Sequence, residues 1–176
     1  MRIISGKYKG RRLPVAKNLK ARPTTDRAKE SLFNILNNIV DFEDIVVLDL
    51  FAGTGGISYE FASRGCEDIT LIEKNYNHIK YINKISGDFD FGLNIIKADV
   101  FKYLKNTIKK FDIIFADPPF DMDNIEDIPK LIFDNDLLKE DGTLILEHSD
   151  LFEFKKDLKP NITRNYGKVC FSFFDS

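Results

Sequence analysis

From residue 45 onward the chain alternates short apolar runs with segments whose apolar residues recur three or four positions apart. The runs at 45–50, 69–73, 93–97, 111–116 and 143–147 have strand length. The segments at 56–64, 76–86, 100–108 and 125–138 read as helices, the last only mostly so. Strand and helix in alternation predict β-α-β units and a parallel sheet. The strands lack polar alternation, as expected when helices cover both faces. Residues 162–166 and 169–174 predict a closing hairpin that turns at Gly167 and Lys168, which brings the strands to seven. Upstream, two strand-like runs flank Gly6 and Gly10 within residues 1–15 and predict a small hairpin. Residues 18–23 read as a loop. Thr24, Thr25 and Asp26 offer an N-cap to a helix whose buried face is Ala28, Leu32, Ile35, Leu36 and Ile39. The fold class is therefore α/β, a doubly wound, mostly parallel seven-stranded sheet. A basic hairpin extension (1–22) precedes the main domain (23–176).

Composition changes this picture little. The chain has 176 residues, 43% hydrophobic and 31% charged, ordinary values for one globular domain. No apolar run approaches the ~18 residues of a membrane span, and the first residues lack the apolar core of a secretory leader. Cys66 and Cys170 stand apart and form no ligand cluster, so the expectation is a reduced, cytoplasmic, monomeric protein without structural metal.

Charge changes it more. The formal net charge is −2. Residues 1–30 hold ten Lys and Arg against Asp26 and Glu30, a net of +8, which leaves −10 for the remainder. A basic head on an acidic body suggests a polyanion partner for the head.

A doubly wound sheet binds ligands at the carboxyl ends of its strands, so candidate chemistry is sought after strands one to four. Asp49 ends the first strand before a loop with Gly53, Gly55 and Gly56. Residue 58 is Ser58, so the dinucleotide fingerprint fails at its third glycine. A carboxylate before the loop suits a cationic ligand better than a pyrophosphate. Glu73, ending the second strand, can accept from ribose hydroxyls. Asp99, after the third, can accept from an adenine amino group or cap the helix at Val100. Asp117, Pro118, Pro119 and Phe120 follow the fourth strand. A carboxylate, a rigid carbonyl and an aromatic ring suit a flat group bearing an NH2. His78 is expected on a solvated helix face and His148 in a local hydrogen bond. Tyr8 either stacks on the partner or braces the hairpin.

The Asp-Pro-Pro-Phe segment resembles the amino-group methyltransferases with an Asn/Asp-Pro-Pro-Tyr/Phe motif. The whole chain resembles the bacterial 16S rRNA guanine-N2 methyltransferases. The residues that carry this are the Arg2 to Arg11 run, Arg22-Pro-Thr-Thr-Asp-Arg27, Leu32-Phe-Asn-Ile-Leu36, Asp49 to Gly55, Glu73-Lys74, Asp117 to Phe120, Glu147-His-Ser149 and Tyr166-Gly167. Two departures are visible: Phe120 replaces the commoner tyrosine, and Ser5 a frequent glycine.

The resemblance implies a Rossmann-like class I methyltransferase that uses S-adenosyl-L-methionine. It implies cofactor contacts from Asp49, Phe51, Ala52, Gly53, Thr54, Gly55, Glu73, Lys74, Asp99, Val100 and Asp117. It implies catalysis by Asp117, Pro118, Pro119 and Phe120. It implies 16S rRNA, within a small-subunit particle, as the partner of Lys7, Lys9, Arg11, Arg12, Arg22, Thr24, Thr25 and Arg27. A DNA amino methyltransferase, an NAD-dependent oxidoreductase and an inactive RNA-binding module are the alternatives. The small size and the N-terminal match argue against the first, the missing glycine against the second, and the filled site positions against the third.

Overall fold

The computed structural model describes residues 1–14, 24–155 and 158–176. Arg22, the 18–23 loop and the domain boundary expected near residue 22 lie outside the described residues. The elements run α1 (Asp26–Leu36), β1 (Val46–Leu50), α2 (Gly56–Ser63), β2 (Asp68–Glu73), α3 (Tyr76–Phe89), β3 (Leu93–Lys97), α4 (Val100–Asn106), β4 (Phe111–Ala116), α5 (Asp127–Asp134), β5 (Leu138–Ser149), β6 (Ile162–Tyr166) and β7 (Val169–Asp175). The sheet order is β3-β2-β1-β4-β5-β7-β6. The first five strands are parallel, and the closing hairpin inserts β7 antiparallel to β5. The order reverses between β1 and β4, which opens a crevice at their carboxyl ends.

Alternate residues of the apolar strands serve the two faces. Val47, Ile113, Phe115, Ile145 and Phe171 pack with Phe33 and Leu36 of α1 and with Ile57 and Phe61 of α2. Leu48, Ile114, Leu144, Leu146 and Phe174 pack with Leu104 of α4 and Ile128 and Ile132 of α5. Both sets are removed from water, which explains the unbroken apolar runs. Helix α5 is shorter than its apolar spacing suggests. It stops at Asp134, and Asp136 turns the chain with φ 51° so that β5 begins at Leu138, earlier than expected. Helix α3 runs longer, to Phe89, and ends on Asp90 with φ 54°.

The N-terminal segment forms a narrow hairpin. Ile3 N donates to Arg11 O at 3.0 Å and Gly10 N to Ile3 O at 2.9 Å around one Arg2–Arg12 bridge. It lies along the body: Ile3 and Leu13 are buried with Tyr59, Leu71, Ile82 and Phe91. Tyr8 is a brace, its hydroxyl donating to Phe89 O at 2.7 Å and its ring edge-on to Phe89 and Phe91. At the turn, Lys7 N donates to Ser63 O at 2.6 Å. A Cβ on Gly6 would sit 1.8 Å from Ser63 O, and Gly6 has φ +80°, so only glycine allows this approach.

One carboxylate fastens this arrangement. Glu60 of α2, fully buried, accepts from Ile4 N at 2.9 Å, from Lys29 Nζ at 3.1 Å and from Arg64 Nη1. Lys29, on α1, is 2% exposed and also donates to Arg2 O at 2.8 Å. Lys29 therefore belongs to the interior, although its charge counts toward the basic head. Arg2 meets Asp26 at 2.8 Å.

A second buried carboxylate ties β1 to α2. Asp49 Oδ2 accepts from Ser58 Oγ at 2.6 Å and from Ser58 N at 3.2 Å. Burial pushes its pKa up to about 7, against the pull of the Ser58 bonds and with a small push from Glu73.

Two outcomes are expected. Lys29→Ala leaves Glu60 short of a cation in a dry site and should cost roughly 3 kcal/mol, read as a lower urea midpoint at unchanged slope. A loss below about 1 kcal/mol would mean that Arg64 alone satisfies the carboxylate. Folded Asp49 holds its proton more tightly than the unfolded chain, so its contribution to stability is complete below about pH 4 and lost as pH rises through about 7. Asp49→Asn abolishes that titration. Its stability relative to wild type should therefore climb across this window, in urea midpoints taken at each pH. A difference independent of pH would contradict the assignment.

Candidate functional site

A cavity of about 430 Å³ opens at the crevice between β1 and β4, within the size range of small-ligand sites. Each parallel strand supplies a wall at its carboxyl end: Phe51 and Gly53 after β1, Glu73 and Lys74 at β2, Asp99 and Val100 after β3, Asp117 to Phe120 after β4, and Glu147 on β5. Thr24 and Thr25, at the start of α1, complete it. The expected catalytic residues, seven of the expected cofactor residues and the threonines of the basic head thus meet in one place.

The glycine loop is held open by two bonds. Gly53 N donates to Glu73 Oε2 at 2.8 Å, and Asn75 N donates to Oε1 at 2.7 Å. Glu73 is thereby fixed between the ends of β1 and β2. Gly55 carries φ +81°, and a Cβ there would fall 2.7 Å from the Tyr59 ring. The loop must therefore be glycine at this point, so that α2 can start beneath it. Ser58 in place of a third glycine has a positive reason, since its hydroxyl and amide hold Asp49. Asp49 lies beneath the loop, 1% exposed, and Ala52, Thr54 and Gly55 likewise do not line the cavity. They shape the loop whose Phe51 and Gly53 face inward. Phe51 reaches this position with φ 59° and its ring stands edge-on to Phe101 at 6.5 Å.

On the opposite wall, Pro118 is buried and Phe120 is 44% exposed at the rim. Pro119 O accepts from Met122 N at 3.0 Å, which closes a tight turn after the two prolines. Asp99 caps α4, accepting from Lys102 N at 3.1 Å, and still borders the cavity. The capping and lining readings hold together.

Two features differ from expectation or were missed. His78 is not on a solvated face. Its side chain is 12% exposed, it lines the cavity, and Nδ1 lies 3.3 Å from Glu73 Oε2. Helical periodicity could not show this, because the direction is set by how the first turn of α3 meets the end of β2. Glu147 is 3% exposed and accepts from Thr24 Oγ1 at 3.2 Å. An acid near the carboxyl end of a fifth parallel strand is the signal the sequence carries for it. His148 is buried as expected for a local role, with Nδ1 2.8 Å from Ser149 O and Nε2 2.8 Å from Ser172 Oγ. Burial lowers its pKa.

The basic residues divide by position. Thr25 caps α1, accepting from Ala28 N at 3.2 Å, and Arg27 is exposed on the next turn. Lys7, Lys9, Arg11 and Arg12 are exposed. The turn that carries Lys7 and Lys9 meets the C-terminal end of α2 at Ser63. That is a helix length of about 12 Å from the glycine loop. No group of three or more His, Cys, Asp or Glu among the described residues could hold a metal ion, and no helix among them is long and apolar enough to cross a membrane.

Comparison with known proteins places the chain. The family model described as conserved hypothetical protein 95 matches residues 1–175. YlbH of Bacillus subtilis is 33% identical over 175 residues, 95% of this chain and 94% of that protein. Ribosomal RNA small subunit methyltransferase D of Escherichia coli K12 is 33% identical over 148 residues, 84% of this chain and 74% of that one. Among solved structures, the Escherichia coli protein yhhF superposes with a TM-score of 0.85 at 30% identity, covering 99% of this chain and 97% of that one. An RNA methyltransferase from Salinibacter ruber in complex with S-adenosyl-L-homocysteine shares the fold at 16% identity, TM-score 0.69, over 88% of this chain and 93% of that one. The chain belongs to the conserved hypothetical protein 95 family, the family of the ribosomal RNA small subunit methyltransferase D proteins.

Proposed function

We propose that this protein transfers a methyl group from S-adenosyl-L-methionine to the exocyclic N2 amino group of a guanine in 16S rRNA. The observation that carries the reading is the meeting, in one cavity, of the Gly53–Glu73–Asp99 wall with the Asp117 to Phe120 turn. The first wall has the chemistry of an adenosine site: a glycine amide at closest approach, a fixed carboxylate for ribose hydroxyls and an acid beside apolar Val100 for a purine edge. Each oxygen of Glu73 already takes one N–H and keeps a further lone pair for a hydroxyl. Family membership supports rRNA as substrate, and the Salinibacter ruber protein illustrates the cofactor class held by this fold.

The cofactor supplies an electrophilic methyl on a sulfonium. The protein's task is to present a poor nucleophile, because an aromatic amino nitrogen has its lone pair delocalised into the ring. Asp117 and the Pro118 carbonyl each accept one N–H, which holds the nitrogen and turns its lone pair toward the methyl. The ionised carboxylate also stabilises positive charge developing on nitrogen. Two prolines and the Pro119–Met122 turn keep the acceptors from relaxing away, so alignment is set before reaction. Phe120 at the rim is placed to stack on a base extruded from its helix. Thr24 and Thr25 border this mouth, while the exposed Lys7, Lys9, Arg11, Arg12 and Arg27 are available to more distant phosphates. Arg22, which lies outside the described residues, is proposed as an RNA contact on the family resemblance alone.

Incubating the enzyme with methyl-labelled cofactor and small-subunit particles, then mapping the label by mass spectrometry, should locate it on the N2 of a single guanine. Label on an adenine or cytosine amino group, or on DNA alone, would refute the assignment. Asp117→Ala should reduce turnover by at least about a hundredfold while calorimetry still detects S-adenosylhomocysteine binding. Near wild-type turnover would remove Asp117 from the mechanism.

A further inference from the structure

We infer that Glu147 is a specificity-determining residue: its carboxylate accepts the ring N1–H of the target guanine and so separates guanine from the other amino-bearing bases. The inference rests on the function proposed above.

Glu147 stands beside Asp117 in the cavity wall. Ala116 of β4 and Leu146 of β5 are parallel partners, so the next residue of each strand puts an acid at the same level of the wall. The backbone is held from the other side as well, because Glu147 is the partner of Phe171 on β7. Its Oε2 accepts from Thr24 Oγ1 at 3.2 Å, which sets the carboxylate against the start of α1. An ionised carboxylate has about four acceptor positions, so this bond and a base N–H are compatible.

The chemistry follows from what lies next to the amino group in each base. Asp117 and the Pro118 carbonyl hold the amino nitrogen, and any base with an exocyclic NH2 satisfies them. In guanine the adjacent ring nitrogen on the Watson–Crick edge is N1–H, a donor. In adenine and cytosine the corresponding ring nitrogen is a bare acceptor. A carboxylate at that place gains a hydrogen bond from guanine and meets a lone pair in the other two, so it attracts the one and repels the others. An anchor for Thr24 alone would not need an acid, since an amide oxygen also accepts from a hydroxyl. Beyond Glu147 the wall reaches Thr25, whose Oγ1 accepts from Ala28 N and keeps its own proton to donate. Acceptors from β4, an acceptor from β5 and a hydroxyl donor at α1 thus follow the order of the guanine edge, N2–H, N1–H and O6.

The test compares reconstituted small-subunit particles that carry guanine or 2-aminopurine at the target position, the latter an amino-bearing base whose N1 is a bare acceptor. Wild type should methylate the 2-aminopurine particle roughly 10- to 100-fold more slowly, the scale of one base-edge contact. Glu147→Gln keeps an acceptor for Thr24 and can turn either an oxygen or an NH2 toward the ring nitrogen. It should slow the guanine reaction, speed the 2-aminopurine reaction and bring the two rates close together, while calorimetry still finds S-adenosylhomocysteine bound. A rate ratio unchanged from wild type, or loss of both reactions with S-adenosylhomocysteine still bound, would overturn the inference and leave the proposed function standing. Equal wild-type rates on the two particles would overturn it even if Glu147→Gln does not fold, as judged by circular dichroism. Absence of label from the guanine N2 in the wild-type reaction would instead overturn the proposed function itself.

Discussion

The buried Glu60 carboxylate is the joint on which the N-terminal third of the molecule hangs. It sits on α2 and receives the Ile4 amide from the hairpin, Lys29 from α1 and Arg64 from its own helix. A charge in a dry site is tolerated only when its lone pairs are filled, and here the filling groups come from three different segments. None of those segments can shift without leaving the carboxylate exposed to a low dielectric. The site depends on this joint because Thr25 caps α1, and Thr24 and Thr25 are wall residues of the cavity.

A second carboxylate does for the cofactor loop what Glu60 does for the head. Asp49 is spent on Ser58, which fixes the direction in which α2 leaves the glycine turn. Glu73 and Gly53 then complete the loop from the neighbouring strand. The acidic residues that crowd this end of the sheet thus have separate tasks. Asp49 is structural and proton-holding, while Glu73, Asp99, Asp117 and Glu147 border the cavity. Such a cluster suits a ligand that brings positive charge and N–H or O–H donors, and it is hostile to a bare pyrophosphate.

Charge bookkeeping changes meaning once burial is known. The head's net of +8 includes Lys29, which is interior, and Arg2, which is matched to Asp26. What faces outward are Lys7, Lys9, Arg11 and Arg12 on the hairpin and Arg27 on the first turn of α1, all exposed. The hairpin is packed along the body by Ile3, Leu13 and Tyr8, so the four bases it carries are held in place.

Strand and helix order, the two-faced core and the placement of chemistry after β1 to β4 were legible in the residues, because apolar period and glycine position are local properties. Strands β3 and β4 fall where their apolar runs begin and end, and Thr25 caps the helix its spacing announces. The end of α5, the early start of β5 and the length of α3 were not legible, since left-handed turns at Asp136 and Asp90 have no period. Nor were the buried Lys29, the inward His78 and the wall position of Glu147. A lysine, a histidine and a glutamate look the same in sequence whether solvated or enclosed. What encloses them is the packing of segments 31 residues apart for Lys29 and Glu60, and 123 apart for Thr24 and Glu147. The sequence by itself determined which chemistry the chain can carry. The tertiary structure decided which of those groups face the ligand, because burial and direction are set by distant partners.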